Sequence, residues 1–414
     1  MNIYLLLIML FLIGEYVLSI VIERDNLNNL STTLPSEFKD IYDENKYAKS
    51  QTYTKHLTYY SLVKSGIFLI LTLGVIIFGG INKIDFIARS FGFNQMVTAL
   101  LFFLLFYILI FLLGIPFSIY FTYHIEQKYG FNKTKISTFC FDKIKEFFIF
   151  TILMVLILLI VLYFFERFTQ AAWLYSWIML SLFSLFLTFI APVTILPLFN
   201  KFTPLKEGEL KDAITNYAKK EKIKLKNIFK IDGSKRSTKA NAYFTGFGKT
   251  KRIALYDTLI NQMNTKQIVA VLAHEVGHSK KGHIKKMIFM SIFSTGFMLF
   301  VLSSFINNPL LFEAFKVETL SIYVSFFLFT ICYKPISFVI DIIGIIFSRR
   351  YEFEADNYCC SSLGEVHSLI SALKILSVNN LSNLTPGKLK VFFQYSHPPV
   401  LKRIKSLRDF SKSL

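Results

Sequence analysis

Apolar residues in this chain gather into seven nearly continuous runs, at roughly 3–22, 57–80, 98–123, 146–165, 172–196, 286–306 and 319–347. Each approaches or exceeds the about 20 residues a helix needs to cross a hydrocarbon core, so the pattern predicts seven membrane-spanning helices. The first run could pass for a secretion signal, but it has no basic start and no small-x-small cleavage site, and Glu15 interrupts it. It reads as a membrane anchor. The fourth and fifth runs are joined only by Glu166-Arg167-Phe168-Thr169-Gln170, and a single kinked or re-entrant element is the alternative there. Glu15, Lys64, Lys334 and Asp341 are stranded inside apolar runs. A charge facing lipid at mid-bilayer costs roughly 2.5–3.5 kcal/mol on insertion scales, so these side chains are expected to face the interior or a water-filled cavity, or to reach the interface, the alternative being that they pair with one another in a dry bundle.

Two polar blocks separate and follow the runs. Within 197–285, the lysine-rich amphipathic stretch 209–224 predicts a helix. Segments 228–232 and 242–255 are richer in β-branched and aromatic residues and are broken by Gly233, Gly246 and Gly248, which predicts short strands and turns. Residues 264–281 predict a helix again, and 348–414 are mostly helical with a break at Thr385-Pro386-Gly387. The chain therefore divides into 1–196, with five spans and their loops; 197–285; 286–347, with two spans; and 348–414.

Composition agrees: 53% of the 414 residues are apolar and 18% charged, against about 25% charged in an ordinary soluble domain. The four cysteines, Cys140, Cys332, Cys359 and Cys360, lie in or beside apolar segments without the spacing of a zinc knuckle, and are expected to be reduced and structural. The formal charge is +19, and its distribution carries topology. Seven spans leave only Lys83, Arg89, Arg167 and Lys316 on one side and Lys64 and Lys334 inside runs. The other 40 of the 46 Lys and Arg, Lys286 at the start of the sixth run among them, fall on the side of 23–56, 124–145, 197–285 and 348–414. Basic residues accumulate on the cytoplasmic side, so both polar blocks are expected there, drawn to anionic lipid. No Gly-rich phosphate loop or aromatic-basic motif is present, and no nucleic acid is needed to explain the charge.

The chemistry concentrates in HEVGH at 274–278. Positions four apart share a helix face, so His274 and His278 can bind one Zn²⁺, with Glu275 beside it as general base for a water. A catalytic zinc takes three protein ligands and keeps one position open. After the seventh run, SRRYEFEAD at 348–356 offers Glu352 as the third ligand and, one turn on, Asp356 to accept the free ring N–H of a liganding histidine. Glu354 points to the opposite side and is the weaker choice. Two spans separate HEVGH from Glu352, so both lie on one side of the membrane.

At this point the sequence resembles the CAAX prenyl protease 1 family of integral-membrane zinc metalloproteases. The resemblance rests on EQKYGFN at 126–132, DGSKRS at 232–237, Asn241-Ala242-Tyr243-Phe244, HEVGH with Gly282-His283, the 348–356 segment and YSHPP at 395–399, in that order and spacing. It implies a mainly α membrane protein of seven helices enclosing a water-filled chamber, with a cytosolic zinc-protease domain and one Zn²⁺ per chain. It also implies that Asn241 holds the substrate backbone, that His397 steadies the scissile carbonyl or its oxyanion, and that Arg403 lies near the site. His283 matches the family and is expected to be structural or to support a ligand. The expected substrate is a prenylated or otherwise membrane-tethered protein, cut near its C-terminus by a monomeric enzyme. The absence of long extra loops or a retrieval signal suits a bacterial inner-membrane member, the endoplasmic reticulum being the compartment of a eukaryotic one. Other readings are a membrane quality-control zinc protease and, from a different class, a transporter or lipid-handling protein with a structural metal. Glu275 separates the last from a hydrolase, because a structural site needs no carboxylate beside its histidine.

Overall fold

The computed structural model describes residues 2–168, 170–223, 225–245 and 251–412. Thr169, Lys224, Gly246 and Gly248, used above to mark element ends, lie outside them. The first five runs are separate helices: α1 (Ile3–Asn28), α2 (Glu44–Ile77), α3 (Gln95–Ile119), α4 (Ile136–Arg167) and α5 (Ala172–Thr194). Side chains of Asn2, Asp43 and Asn94 cap α1, α2 and α3 by accepting first-turn N–H groups. Pro116 sits inside α3, and past Ile119 the chain winds as a π-helix through Tyr120–Glu126. The single kinked element considered for the fourth and fifth runs is not found: α4 and α5 are two helices packed together, with Phe164 stacked on Tyr175.

The polar block then forms β1 (Phe202–Pro204), α6 (Glu209–Lys220), β2 (Leu225–Ile231), β3 (Ala242–Thr245), β4 (Lys251–Tyr256), α7 (Asp257–Gln262) and α8 (Thr265–Lys280). The sheet order is β1-β2-β4-β3, with β2 and β4 parallel and both edge strands antiparallel to their neighbours. The core of this part takes in Phe38 and Tyr47 from the stretch before and at the start of α2, along with Ile268 and Leu272 of α8 and Leu369 and Leu407 near the C-terminus.

The chain returns to apolar sequence with α9 (His283–Ser303), then α10 (Ile322–Cys332) and α11 (Lys334–Leu363), which meet at a 54° bend. The bend falls at Tyr333, just before Pro335, which cannot donate a backbone hydrogen bond. Among the described residues, six helices are long and apolar enough to cross a membrane, and the bent pair makes a seventh span. A last helix, α12 (Val400–Ser411), packs against α11.

Neighbouring contacts close these spans into a ring. Tyr16 of α1 donates to Leu62 O of α2, Tyr60 of α2 to Phe117 O of α3, and Tyr107 of α3 stacks on Phe147 of α4. Beyond the α4–α5 pair, Trp177 of α5 donates to Ile292 O of α9. Met290 of α9 lies beside Gly344 of α11, and Phe338 of α11 meets Phe11 of α1. The ring encloses a central space. At the end away from HEVGH this space is filled: Tyr323, Phe326 and Phe327 of α10 pack on Phe102 and Phe106 of α3 and Phe165 of α4. The chamber is therefore a cup floored by α10, and the bend at Tyr333 lets α11 leave the floor for the wall. Of the stranded charges, Glu15 and Lys334 stand 3.9 Å apart and line a 280 Å³ cavity with Ser19, Ser65 and Thr72. Lys64 and Asp341 are exposed. All four cysteines are free thiols, Cys359 and Cys360 fully buried.

Candidate active site

A reciprocal capping box between Asn264 and Gln267 fixes the start of α8, and the helix turns His274 and His278 toward α11. The helices approach unusually closely because Gly277 faces α11: a Cβ there would sit 3.0 Å from the Cα and carbonyl oxygen of Ala355. Glu352 lies one turn from Ala355 on the same helix, and it is buried.

Three side chains converge, Glu352 turning one oxygen to each histidine. His274 Nε2 is 3.1 Å from His278 Nε2 and 3.4 Å from Glu352 Oε2, and His278 Nε2 is 3.3 Å from Glu352 Oε1. Ligands at 2.0–2.1 Å from a tetrahedral ion stand about 3.3–3.4 Å apart, so the triangle has the size of three tetrahedral corners. Glu352 Oε2 is buried with no hydrogen bond, although Arg403 Nη1 stands 3.2 Å away. A buried carboxylate with one oxygen left without a hydrogen bond, its two oxygens each facing an imidazole nitrogen, fits a metal cation.

Each histidine is braced on its far side. His274 Nδ1 lies 2.9 Å from Asp356 Oδ1, which sets the tautomer that aims Nε2 into the triangle. Asp356 is held in turn by the buried Arg403, whose Nε and Nη2 donate at 2.8 and 2.6 Å. Burial disfavours a charged His274, but its bonds to Asp356 and Glu352 outweigh that and raise its pKa to about 9. The pocket is thus built for positive charge. His278 Nδ1 lies 3.0 Å from His283 Nδ1, and His283 Nε2 lies 3.1 Å from Glu354 Oε2, with Tyr351 stacked on the His283 ring at 4.3 Å. Sequence periodicity set Glu354 aside as facing away from the ligands. It does face away from them, but toward His283, which Gly282 at φ +70° swings around to that side of α11.

Glu275 is half-buried and makes no hydrogen bond among the described residues, so its carboxylate is open to a water. His397 is exposed at the mouth, its Nε2 3.3 Å from Glu352 Oε1 and its Nδ1 3.0 Å from Ser396 Oγ. Asn241 stands apart from the triangle. It opens β3, with its side-chain oxygen accepting from Ala242 N at 2.8 Å and its carbonyl accepting from Tyr256 N at 3.1 Å.

Comparison with known proteins covers nearly the whole chain. Residues 23–201 match the family described as CAAX prenyl protease N-terminal, five membrane helices, and residues 204–411 match peptidase family M48. The CAAX prenyl protease 1 homolog of Arabidopsis thaliana is 32% identical over 407 residues, covering 96% of both chains. CAAX prenyl protease 1 of Saccharomyces cerevisiae is 32% identical over 412 residues, covering 91% of this chain and 88% of its own. The crystal structure of S. mikatae Ste24p superposes with a TM-score of 0.90 at 32% identity, over 98% of this chain and 99% of that one. With the ring of spans, the floored chamber and the His-His-Glu triangle, these likenesses establish that the chain belongs to the CAAX prenyl protease 1 family of M48 peptidases, multi-pass membrane metalloendopeptidases.

Proposed function

We propose that the protein hydrolyses a peptide bond near the C-terminus of prenylated or membrane-tethered proteins, using one zinc ion held by His274, His278 and Glu352. The observation that carries this reading is the donor triangle of 3.1, 3.3 and 3.4 Å with the open Glu275 carboxylate beside it. Two imidazoles and one carboxylate are a zinc set that leaves a fourth position for water or substrate. Bound there, zinc supplies Lewis acidity to the scissile carbonyl and acidity to the attacking water. Glu275 accepts the water's proton and later delivers it to the leaving amine. His397, at the mouth, donates to the carbonyl oxygen as negative charge develops on it. Asn241 and the free edge of β3 hold the substrate backbone, while Arg403 acts through Asp356 by keeping His274 in register.

The forty basic residues on the protease side support a cytoplasmic active site in a monomer embedded in a cell membrane or the endoplasmic reticulum. On this reading, 197–285 and 348–414 make the protease and 1–196 and 286–347 make the chamber. Relatives named as prenyl proteases support an isoprenoid-bearing substrate. The test compares kcat/KM for matched peptides with and without a farnesyl group on the purified protein, with products identified by mass spectrometry. A clear preference for the farnesylated peptide is expected; equal values would refute the tethered-substrate reading.

A further inference from the structure

Residues 126–132 take no part in the hydrolytic site, yet they occupy the joint between the membrane helices and the strand that Asn241 opens. Glu126, at the end of the π-helical stretch, is buried; its carboxylate accepts from Tyr53 Oη of α2 at 2.5 Å and from Lys239 Nζ at 2.8 Å. Lys239 Nζ also donates to Tyr53 Oη at 2.8 Å, and it lies 4.4 Å from the centre of the Phe131 ring. The three polar groups form a closed set: the phenol donates to the carboxylate and accepts from the ammonium, which also donates to the carboxylate.

The backbone around Lys239 is tied from both directions. On the membrane side, Thr238 N donates to Phe131 O, Lys133 N to Arg236 O, and Arg236 grips Asp142 of α4 with two bonds of 2.7 and 2.9 Å. On the protease side, Thr258 and Gln262 of α7 donate to Lys239 O and Thr238 O, each at 3.0 Å. Residues 236–239 therefore hang between α2, α3 and α4 and the protease fold, two residues before Asn241 and an edge strand with no partner on its outer side among the described residues.

We infer that Tyr53, Glu126 and Lys239 are positioning residues, a part-buried clamp that sets the height and orientation of Asn241 and β3 over the chamber. This rests on the tethered-substrate reading above. A peptide held at one end by the membrane and at the other by β3 reaches the reactive geometry only if those two supports keep a fixed separation. A short free peptide, bound by β3 and the metal triangle alone, does not need it.

The test uses the full chain with Cys140→Ser and Cys332→Ser and spin labels at two exposed positions, Lys55 on α2 and Asn261 on α7. Electron–electron distance distributions are recorded for the parent, Lys239→Met, Lys239→Arg and the milder Tyr53→Phe. The same variants are assayed for metal content and for kcat/KM on a farnesylated peptide and a short unmodified one. In Lys239→Met the distribution should broaden and metal should stay bound. Since a 1 Å misplacement can cost 10²-fold, kcat/KM on the farnesylated peptide should fall about 10- to 100-fold and on the short peptide less than about threefold. Lys239→Arg should restore both readouts. An unchanged distribution overturns the clamp, and so does an equal loss on both peptides in an enzyme whose parent prefers the farnesylated one. A broadened distribution in an enzyme whose parent treats both peptides alike supports the clamp and removes the substrate reading instead.

Discussion

Gly277→Ala tests whether the closeness of α8 and α11 is what assembles the metal triangle. The added Cβ would meet the Ala355 Cα and carbonyl oxygen at 3.0 Å and Tyr358 Cβ at 3.2 Å. Two of these neighbours are backbone atoms, so no rotamer change relieves the contact. Carbon atoms rest at about 3.5–4.0 Å, so the helices must part by roughly 0.5–1 Å locally. Glu352 rides on α11 one turn before Ala355, and the displacement stretches its 3.3 and 3.4 Å separations from the histidines toward about 4 Å. That is larger than the about 0.2 Å spread in ligand distances expected of a well-formed metal site. Overpacking of this kind also costs about 1–3 kcal/mol of stability. Metal affinity should fall about 10- to 100-fold, as when a ligand's support is removed, with kcat/KM falling at least as far. Competition with a chelator, read by elemental analysis, measures the first, and peptide hydrolysis the second. Gly74→Ala, where a Cβ meets nothing within 4 Å, is the control. Wild-type affinity and turnover in Gly277→Ala would refute the claim that glycine is required for this approach.

Glu275→Gln should retain metal and lose about 10²-fold or more in turnover, because an amide cannot accept the water's proton; near-normal hydrolysis would remove Glu275 as base. His283→Ala removes the group bonded to His278 Nδ1, and Glu354→Gln weakens the group behind it. The first should reduce metal affinity about 10- to 100-fold and the second less, both measured by chelator competition. In the metal-free protein His274 has its pKa raised to about 9, so below that pH a metal must displace its proton. Affinity should drop about tenfold per pH unit from pH 8.5 to 6.5 as protons compete, whereas an unperturbed histidine would give a flat profile over most of that range. A flat calorimetric profile would contradict the bracing by Asp356 and Glu352.

The parts of this site that could be read from the sequence are those set by local periodicity or by the side of the membrane. His274 and His278 share a face because helix pitch is fixed, and Glu352 follows from needing a third ligand on the same side. The rest depends on how helices meet. Gly277 looks like a weak helix residue until α11 is laid against it. The pairing of His283 with Glu354 arises because Gly282 breaks α8 from α9 and sends the chain around α11, which single-helix reasoning does not register. The bend in the seventh span leaves no signal in the sequence because both halves are apolar, whereas the polar 166–170 stretch, which suggests a kink, joins two separate helices. β1 has no strand signal, because three residues, one of them proline, carry no alternation. The joint at 126–132 shows in the sequence only as part of the family resemblance, since Glu126 and Lys239 are 113 residues apart.

Charge explains why a divalent ion suits this arrangement. Burying an uncompensated charge costs several kcal/mol per ion, and the site collects Glu352, Asp356 and Glu275 around a single guanidinium, Arg403. With neutral imidazoles the cluster carries two uncompensated negative charges, which a dication cancels. Without metal it must draw in protons, and the raised pKa of His274 is that demand. Arg403 alone does not suffice: it is one guanidinium among three carboxylates, divided between Asp356 and, at 3.2 Å, Glu352 Oε2. A site neutral when loaded admits a neutral peptide bond without a further burial penalty. On the proposed reading, the negative charge that would develop on the carbonyl oxygen is unmatched by anything already paired, so it would fall to the metal and to His397, exposed at the mouth.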